Sequence, residues 1–284
     1  MRLLRVGPPG QECPALLDEH DQLRDLSGHC TDIGGDTLLP ASLARLAALD
    51  PAGLPLQPAG DVAQRIGPCV GSVRKIVGVG LNYADHAAEA GMAVPTEPIL
   101  FMKPTSALCG PDDAVQIPRG STHTDWEVEL CVVIGEGGRY IDEADAMSHV
   151  AGYCVANDVS ERQWQLQRGG TWDKGKGHDS FAPIGPWLVT ADAVPDPQAL
   201  DLWLDLDGTP RQRGSTRTMV FGVRHLLSYI SHFMRLEPGD LIFTGTPPGV
   251  GMGHKPPLYL RAGQVLSLGI QGLGQQRQRT VAAD

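Results

Sequence analysis

The chain has 284 residues, 42% of them hydrophobic, and a formal net charge of -10. That length suits one large domain, or a domain with a small appendage, around a sizeable core. The acidic balance offers no basic stripe to neutralise phosphates, which argues against a nucleic-acid partner. No long apolar span and no charged-then-apolar leader are seen, so the expectation is a soluble, cytoplasmic chain with no membrane partner.

Residues 1–70 differ in texture from the rest and are expected to form a small N-terminal α+β domain, with 71–284 as the catalytic domain. Met1 to Val6 is a short strand candidate, and Pro14–Asp18 with Gln22–Leu26 suggests a hairpin. Pro40 to Leu49 carries apolar residues at helical spacing, and Pro51, Pro55, Pro58 and Pro68 then mark a linker. The alternative is that this segment extends the main domain. With 35 glycines, 23 prolines and 5% aromatic residues, many turns and short strands are expected. Strand candidates are Ile76–Gly80, Ile99–Met102, Glu127–Ile134, Val150–Ala156, Trp187–Thr190, Asp201–Leu206, Leu241–Thr244 and Gln264–Ile270. Helix candidates are Tyr83–Ala90, Glu143–Met147 and Val223–Phe233, the last with an apolar stripe of Leu226, Leu227, Ile230 and Phe233. Helices this sparse do not make a doubly wound α/β sheet. The fold class expected is mainly β with some α (α+β).

The six cysteines, at positions 13, 30, 69, 109, 131 and 154, form no Cys-x-x-Cys pair, so a zinc or redox motif is not indicated; Cys131 and Cys154 fit buried, reduced thiols. Gly78-Val79-Gly80 starts like a dinucleotide loop but has Tyr83 in the sixth position. Gly245 to Gly251 lacks the Lys-Ser/Thr of a P-loop, and no Gly-x-Ser-x-Gly elbow occurs.

The most informative stretch is Trp126-Glu127-Val128-Glu129-Leu130, which opens the apolar run to Ile134. Side chains alternate along a strand, so Glu127 and Glu129 share a face, roughly 7 Å apart. Two carboxylates beside a core strand are costly unless a cation sits between them, and Mg²⁺ or Mn²⁺ prefers such oxygens. Asp158, where the next strand gives way to a turn, could supply a third oxygen. The bland alternatives are a solvent-facing Glu pair and an Asn157 or Asp158 that caps a helix running from Val159 toward Gln167. Arg162 and Gln165, four and seven residues after Asp158, fall near one face of that helix, and Arg offers a planar fork for a carboxylate or ketone. His86 and Glu89, three apart on a helix candidate, could form a water-activating dyad or an ordinary polar surface patch. Small residues on either side suit a mobile lid over the metal. Lys174 and Lys176 lie among glycines that allow close approach; a lysine near an oxyanion stabilises developing charge, whereas a solvated loop charge is the alternative.

Five motifs in order resemble the fumarylacetoacetate hydrolase family: Gly80-Leu81-Asn82-Tyr83 through Glu89, Glu127-x-Glu129, Asn157-Asp158-Val159-Ser160-x-Arg162, Lys174 to Pro186, and Pro238 to Gly251. The resemblance spans about Arg74 to Gly274. It implies a rolled, mixed β-sandwich and a Mg²⁺-dependent hydrolase (Mn²⁺ being the other candidate) that cleaves the C3–C4 bond of a 2,4-dioxo acid. It implies metal ligation by Glu127, Glu129 and Asp158. It gives His86, Glu89 and Lys176 (over Lys174) catalytic roles, and substrate contacts to Arg162, Gln165 and Thr246, a turn hydroxyl otherwise. The partner implied is a small anionic 2-oxo acid, and the assembly a homodimer or higher homo-oligomer. In texture the chain is most similar to the family's sugar-acid branch, which acts on 2,4-diketo-3-deoxy-L-rhamnonate. Isomerases, decarboxylases and hydratases of the family share the metal site and enolate, and a non-catalytic 2-oxo acid binder is a third possibility.

Overall fold

The computed structural model describes residues 1–57, 65–85 and 93–284. Among them, a ten-stranded sheet has the spatial order Leu23–Asp25, Cys13–Leu17, Arg2–Val6, Ala182–Thr190, Val150–Asn157, Val128–Ile134, Leu241–Phe243, Ile76–Gly80 and Ile99–Lys103, with Leu108–Cys109 paired to Ala182–Thr190 off this path. Leu241–Phe243 and Ile76–Gly80 run parallel while most other neighbours are antiparallel, so the sheet is mixed. A second sheet of five strands has the order Thr209–Ser215, Asp201–Leu206, Val265–Ile270, Gly274–Ala282 and Val115–Ile117. The chain is therefore a mostly β, mixed α+β protein, as expected.

The Val128–Ile134 strand is buried along its whole length because both of its faces are covered. Val128, Leu130, Val132 and Ile134 point into one core, shared with Leu204 and Leu268 of the second sheet and with Leu226, Leu227 and Ile230 of the helix Val223–Phe233. Cys131 and Val133 point into the other, with Cys154, Ala156 and Phe181. A strand buried on both faces reads as a continuous apolar run. Glu129 lies in line with Cys131 and Val133, so its carboxylate enters the second core at the sheet's end.

The N-terminal strands do not form a sheet of their own. Arg2 and Leu3 pair with Val189 and Leu188, so the ten-stranded sheet runs across the division expected near residue 70. Two helix expectations are corrected. Glu143–Met147 is replaced by a short 3-10 turn, Ala146–His149. The helix expected from Val159 begins at Arg162, because Ser160 and Glu161 first pair with Asp125 and Thr124 in a two-stranded ribbon. Its cap is Glu161, whose carboxylate accepts from the Trp164 N–H, rather than Asn157 or Asp158. The helix expected over Tyr83–Ala90 lies outside the described residues beyond Asp85.

Candidate metal and catalytic site

Strand ends bring the acidic residues together. Glu127 and Asp158 lie at the mouth of the antiparallel pair Val128–Ile134 and Val150–Asn157. The Asn157 side chain accepts from the Glu127 N–H at 3.1 Å, and the Asp158 N–H donates to the Glu127 carbonyl at 2.8 Å. Glu127, Glu129 and Asp158 are all buried, and each offers a carboxylate oxygen within 4.8 Å of the other two.

Cations enter from three elements. Lys176 Nζ donates to Glu127 Oε2 at 2.7 Å and to Asp158 Oδ2 at 2.6 Å. It reaches them from the short helix Asp173–Lys176, which packs close because residue 175 is glycine: a Cβ there would stand 2.5 Å from the Glu161 carbonyl oxygen and 2.6 Å from the Gln165 nitrogen. Lys174 turns outward to the Arg168 carbonyl. Lys103, at the end of the strand Ile99–Lys103, donates to Asp158 Oδ1 at 2.5 Å and to the Val159 carbonyl at 3.3 Å. Arg162 Nη2 donates to Glu127 Oε1 at 2.7 Å, its Nη1 to Gln165 Oε1 at 3.1 Å, and its Nε to Asp125 Oδ2 at 2.8 Å. Arg162 and Gln165 thus share a helix face, as their spacing suggests.

Glu129 is the exception. Its Oε2 accepts the Gly245 N–H at 2.7 Å, and among the described residues it enters no ion pair. Burial, and then the charges of Asp158 and Glu127, push its pKa well above the usual carboxylate value, against the pull of Lys176 and the Gly245 N–H. Burial alone would lower Lys176, but Asp158 and Glu127 more than offset it and hold its ammonium above the ordinary range. Lys103 ends below its ordinary value, because burial, joined by repulsion from Lys176, outweighs Asp158. The donor set is all hard carboxylate oxygen, and among the described residues one of its buried acids, Glu129, enters no ion pair. Both features fit a divalent ion.

Gly245 must be glycine: its φ is +95, and a Cβ would meet Asn82 Cβ at 2.8 Å. Asn82 Nδ2 donates to the Thr244 carbonyl at 2.8 Å, so the peptide whose N–H faces Glu129 is held from its other side as well. The Thr246 hydroxyl donates to the Val128 carbonyl at 2.9 Å and accepts from Gln212 Nε2 at 2.8 Å. Thr246, Glu127, Arg162, Gln165 and Lys176 line a cavity of about 100 Å³.

Seven of the nine site residues expected from sequence therefore lie together; His86 and Glu89, with the expected lid, lie outside the described residues. Lys103, Asp125 and Tyr83 were not foreseen. A lysine closing an apolar strand just before Pro104 is the only signal that could have marked Lys103. Asp125 also accepts the Gly251 N–H at 2.6 Å and the Met252 N–H at 3.0 Å, which joins Arg162 to that loop. The buried Tyr83 hydroxyl has no hydrogen-bond partner among the described residues, and burial followed by the charges of Glu129 and Asp85 pushes its pKa well up.

The family model for the fumarylacetoacetate (FAA) hydrolase C-terminal domain matches residues 75–281. The chain belongs to the fumarylacetoacetate hydrolase family. It is 64% identical over 284 residues, covering 100% of both chains, to a Burkholderia multivorans protein provisionally named a hydrolase. The fold is similar to 5-carboxymethyl-2-hydroxymuconate delta-isomerase from Mycobacterium smegmatis, with a TM-score of 0.79, 30% identity and 100% of both chains covered. It is also similar to maleylpyruvate hydrolase from Sphingobium sp. SYK-6, solved with manganese(II) and pyruvate, with a TM-score of 0.81, 28% identity and 100% of both chains covered. This family thus includes both hydrolases and isomerases of the same fold. No helix among the described residues is long and apolar enough to cross a membrane.

Proposed function

We propose that this family member is a divalent-metal-dependent hydrolase that cleaves the C3–C4 bond of a 2,4-dioxo acid and releases pyruvate. The observation that carries the reading is the buried triad Glu127, Glu129 and Asp158, in which Glu129 has no cation partner among the described residues. Four buried carboxylates of this cluster, counting Asp125, face three buried cations, Lys103, Arg162 and Lys176. A divalent ion reverses that deficit, and a monoanionic 2-oxo acid then restores neutrality. The presence of both manganese(II) and pyruvate in the structure of the maleylpyruvate hydrolase supports the same pairing.

Glu127, Glu129 and Asp158 would hold Mg²⁺ or Mn²⁺, and the ion would polarise the 2-oxo acid end and stabilise the enolate charge. Arg162 and Gln165 orient that end, with Thr246 beside them on the cavity wall. His86, supported by Glu89, takes a proton from water as its oxygen adds to the C4 carbonyl. The C3–C4 bond then breaks with its electron pair on C3, the acyl carbon leaves as a second acid, and the enolate is protonated to pyruvate. Lys176 faces the developing negative charge.

An isomerase, decarboxylase or hydratase acting through the same enolate is the second reading, favoured by the 30% identity to the delta-isomerase. Incubation of the Mn²⁺-loaded protein with 2,4-dioxopentanoate separates the two. Equimolar pyruvate and acetate supports hydrolysis; carbon dioxide, or a change of absorbance with neither product, overturns it.

A further inference from the structure

Glu127, Arg162, Gln165 and Lys176 of the cavity are joined to one another, but the rest of its lining is different in kind. Leu81, Phe101, Leu166, Trp172 and Met252 complete the wall, and none carries a charge. The Trp172 and Phe101 rings pack at a tilt of 49° with centroids 5.6 Å apart. Phe101 also lies under the Lys176 ammonium, 4.8 Å from its ring centroid, so the aromatic pair begins where the charged cluster ends. Trp172 is seated on the strand through residue 80, where a Cβ would come within 2.2 Å of its ring; glycine there lets the indole lie flush. Leu166, next to Gln165 on the same helix, is 50% exposed and puts an apolar side chain on the rim of the cavity.

Resting on the 2-oxo acid reading above, we propose that this wall receives the acyl side of the substrate and selects an alkyl or aryl acylpyruvate over a dicarboxylic or polyhydroxylated one. The oxo-acid head is drawn to the cations and the triad, which leaves the remaining carbons against the five apolar side chains. A second carboxylate there meets, among the described lining residues, no cation other than Arg162 and Lys176, which are already paired with Asp125, Glu127 and Asp158. Sugar hydroxyls set against these apolar side chains would give up hydrogen bonds to water with little replacement from them. An apolar chain instead gains by leaving water. The wall therefore argues against the sugar-acid substrate that the sequence texture suggests, and separates this chain from a hydrolase acting on maleylpyruvate.

Binding of uncleavable 2-oxo acids to the Mn²⁺-loaded protein, followed by calorimetry, tests the wall without requiring turnover. 2-Oxohexanoate should bind at least roughly tenfold more tightly than 2-oxoglutarate, since one methylene in an apolar pocket is worth about tenfold or more. Leu166→Arg, on the exposed rim where folding tolerates it, should compress or invert that ratio. A wild type that binds 2-oxoglutarate or a polyhydroxylated 2-oxo acid as tightly as 2-oxohexanoate overturns the proposal. So does a ratio that Leu166→Arg leaves unchanged. Turnover of 2,4-dioxooctanoate and maleylpyruvate is measured alongside. Cleavage with the dicarboxylate preferred would overturn the wall and keep the hydrolase; apolar preference in binding with no cleavage would keep the wall and overturn the hydrolase.

Discussion

Gly245 donates its backbone N–H to Glu129 Oε2 at 2.7 Å, which sets a peptide dipole against a carboxylate that lies beside two other acids. A single neutral donor does not offset a buried charge. Glu129 therefore titrates above its ordinary value of 4.5. With the folded pKa raised, the stability it contributes is complete below the unfolded value and is lost as pH rises through the folded one. A divalent ion replaces the proton. The thermal stabilisation given by Mn²⁺ should therefore grow as pH rises above about 4.5, and saturating metal at about 100 times its Kd adds about 2.7 kcal/mol. Glu129→Gln should melt higher than wild type in the metal-free state at neutral pH and lose most of the Mn²⁺ response. Scanning calorimetry at several pH values checks this; a Mn²⁺ shift that Glu129→Gln leaves intact removes Glu129 from the ligand set.

Asp125 and Arg162 form a buried pair at 2.8 Å, and Asp125 also holds two amides of the Gly251–Met252 turn. Removing one partner of a buried pair costs about 3–5 kcal/mol, and the lower end applies here because Arg162 keeps Glu127 at 2.7 Å. Asp125→Asn should lower stability by that order and raise KM for the 2-oxo acid more than it lowers kcat, since Arg162 would lose its orientation. Denaturant melts and steady-state kinetics read the two effects. A double variant with Arg162→Met should be less damaged than the sum of the singles. Strict additivity would mean that the two residues act independently.

The buried acidic triad was legible because two glutamates interrupt an apolar run at strand spacing, a local conflict that sequence displays directly. The strand Gly274–Ala282 was not, for a physical reason. Its inward face carries Gln276, Gln278 and Thr280, so apolar alternation is absent. These side chains are satisfied across the sheet, Gln276 by the Val155 and Gly185 carbonyls and Gln278 by that of Pro111. The same holds for Gln212 in Thr209–Ser215, whose amide donates to Thr246 and Pro247. Lys103 and Asp125 escaped because their partners lie 55 and 37 residues away in the chain. Their roles exist only once the fold brings those segments together.

His86 and Glu89 rest on motif and spacing alone. As general base and its support they should act in the chemical step. His86→Ala should lower kcat by about 10²–10⁴-fold while the affinity for oxalate in the presence of Mg²⁺ barely changes. Glu89→Gln should give a smaller loss in the same direction. Transient kinetics with oxalate titrations would check this, and an equal fall in oxalate affinity would move His86 to the substrate clamp.

Lys103 offers a way to separate a structural charge from a packing group. Its ammonium is fully buried and is held by Asp158 at 2.5 Å, although burial and the nearby Lys176 depress its pKa. A depressed folded pKa means that the charged form is carried at a cost, which grows as pH falls through that value. The fold tolerates this because Asp158 would otherwise be left with Lys176 as its one remaining ion-pair partner among the described residues. Lys103→Met keeps the aliphatic stem and removes the charge. It should destabilise the metal-free protein by about 3 kcal/mol, the lower range for breaking a buried pair. A divalent ion at the triad supplies positive charge to the same Asp158 carboxylate, so the deficit should shrink when Mn²⁺ is present. Paired melts of wild type and Lys103→Met, with and without Mn²⁺, measure this difference. If the loss is the same in both conditions, Lys103 serves packing rather than charge balance, and the ion does not share Asp158 with it.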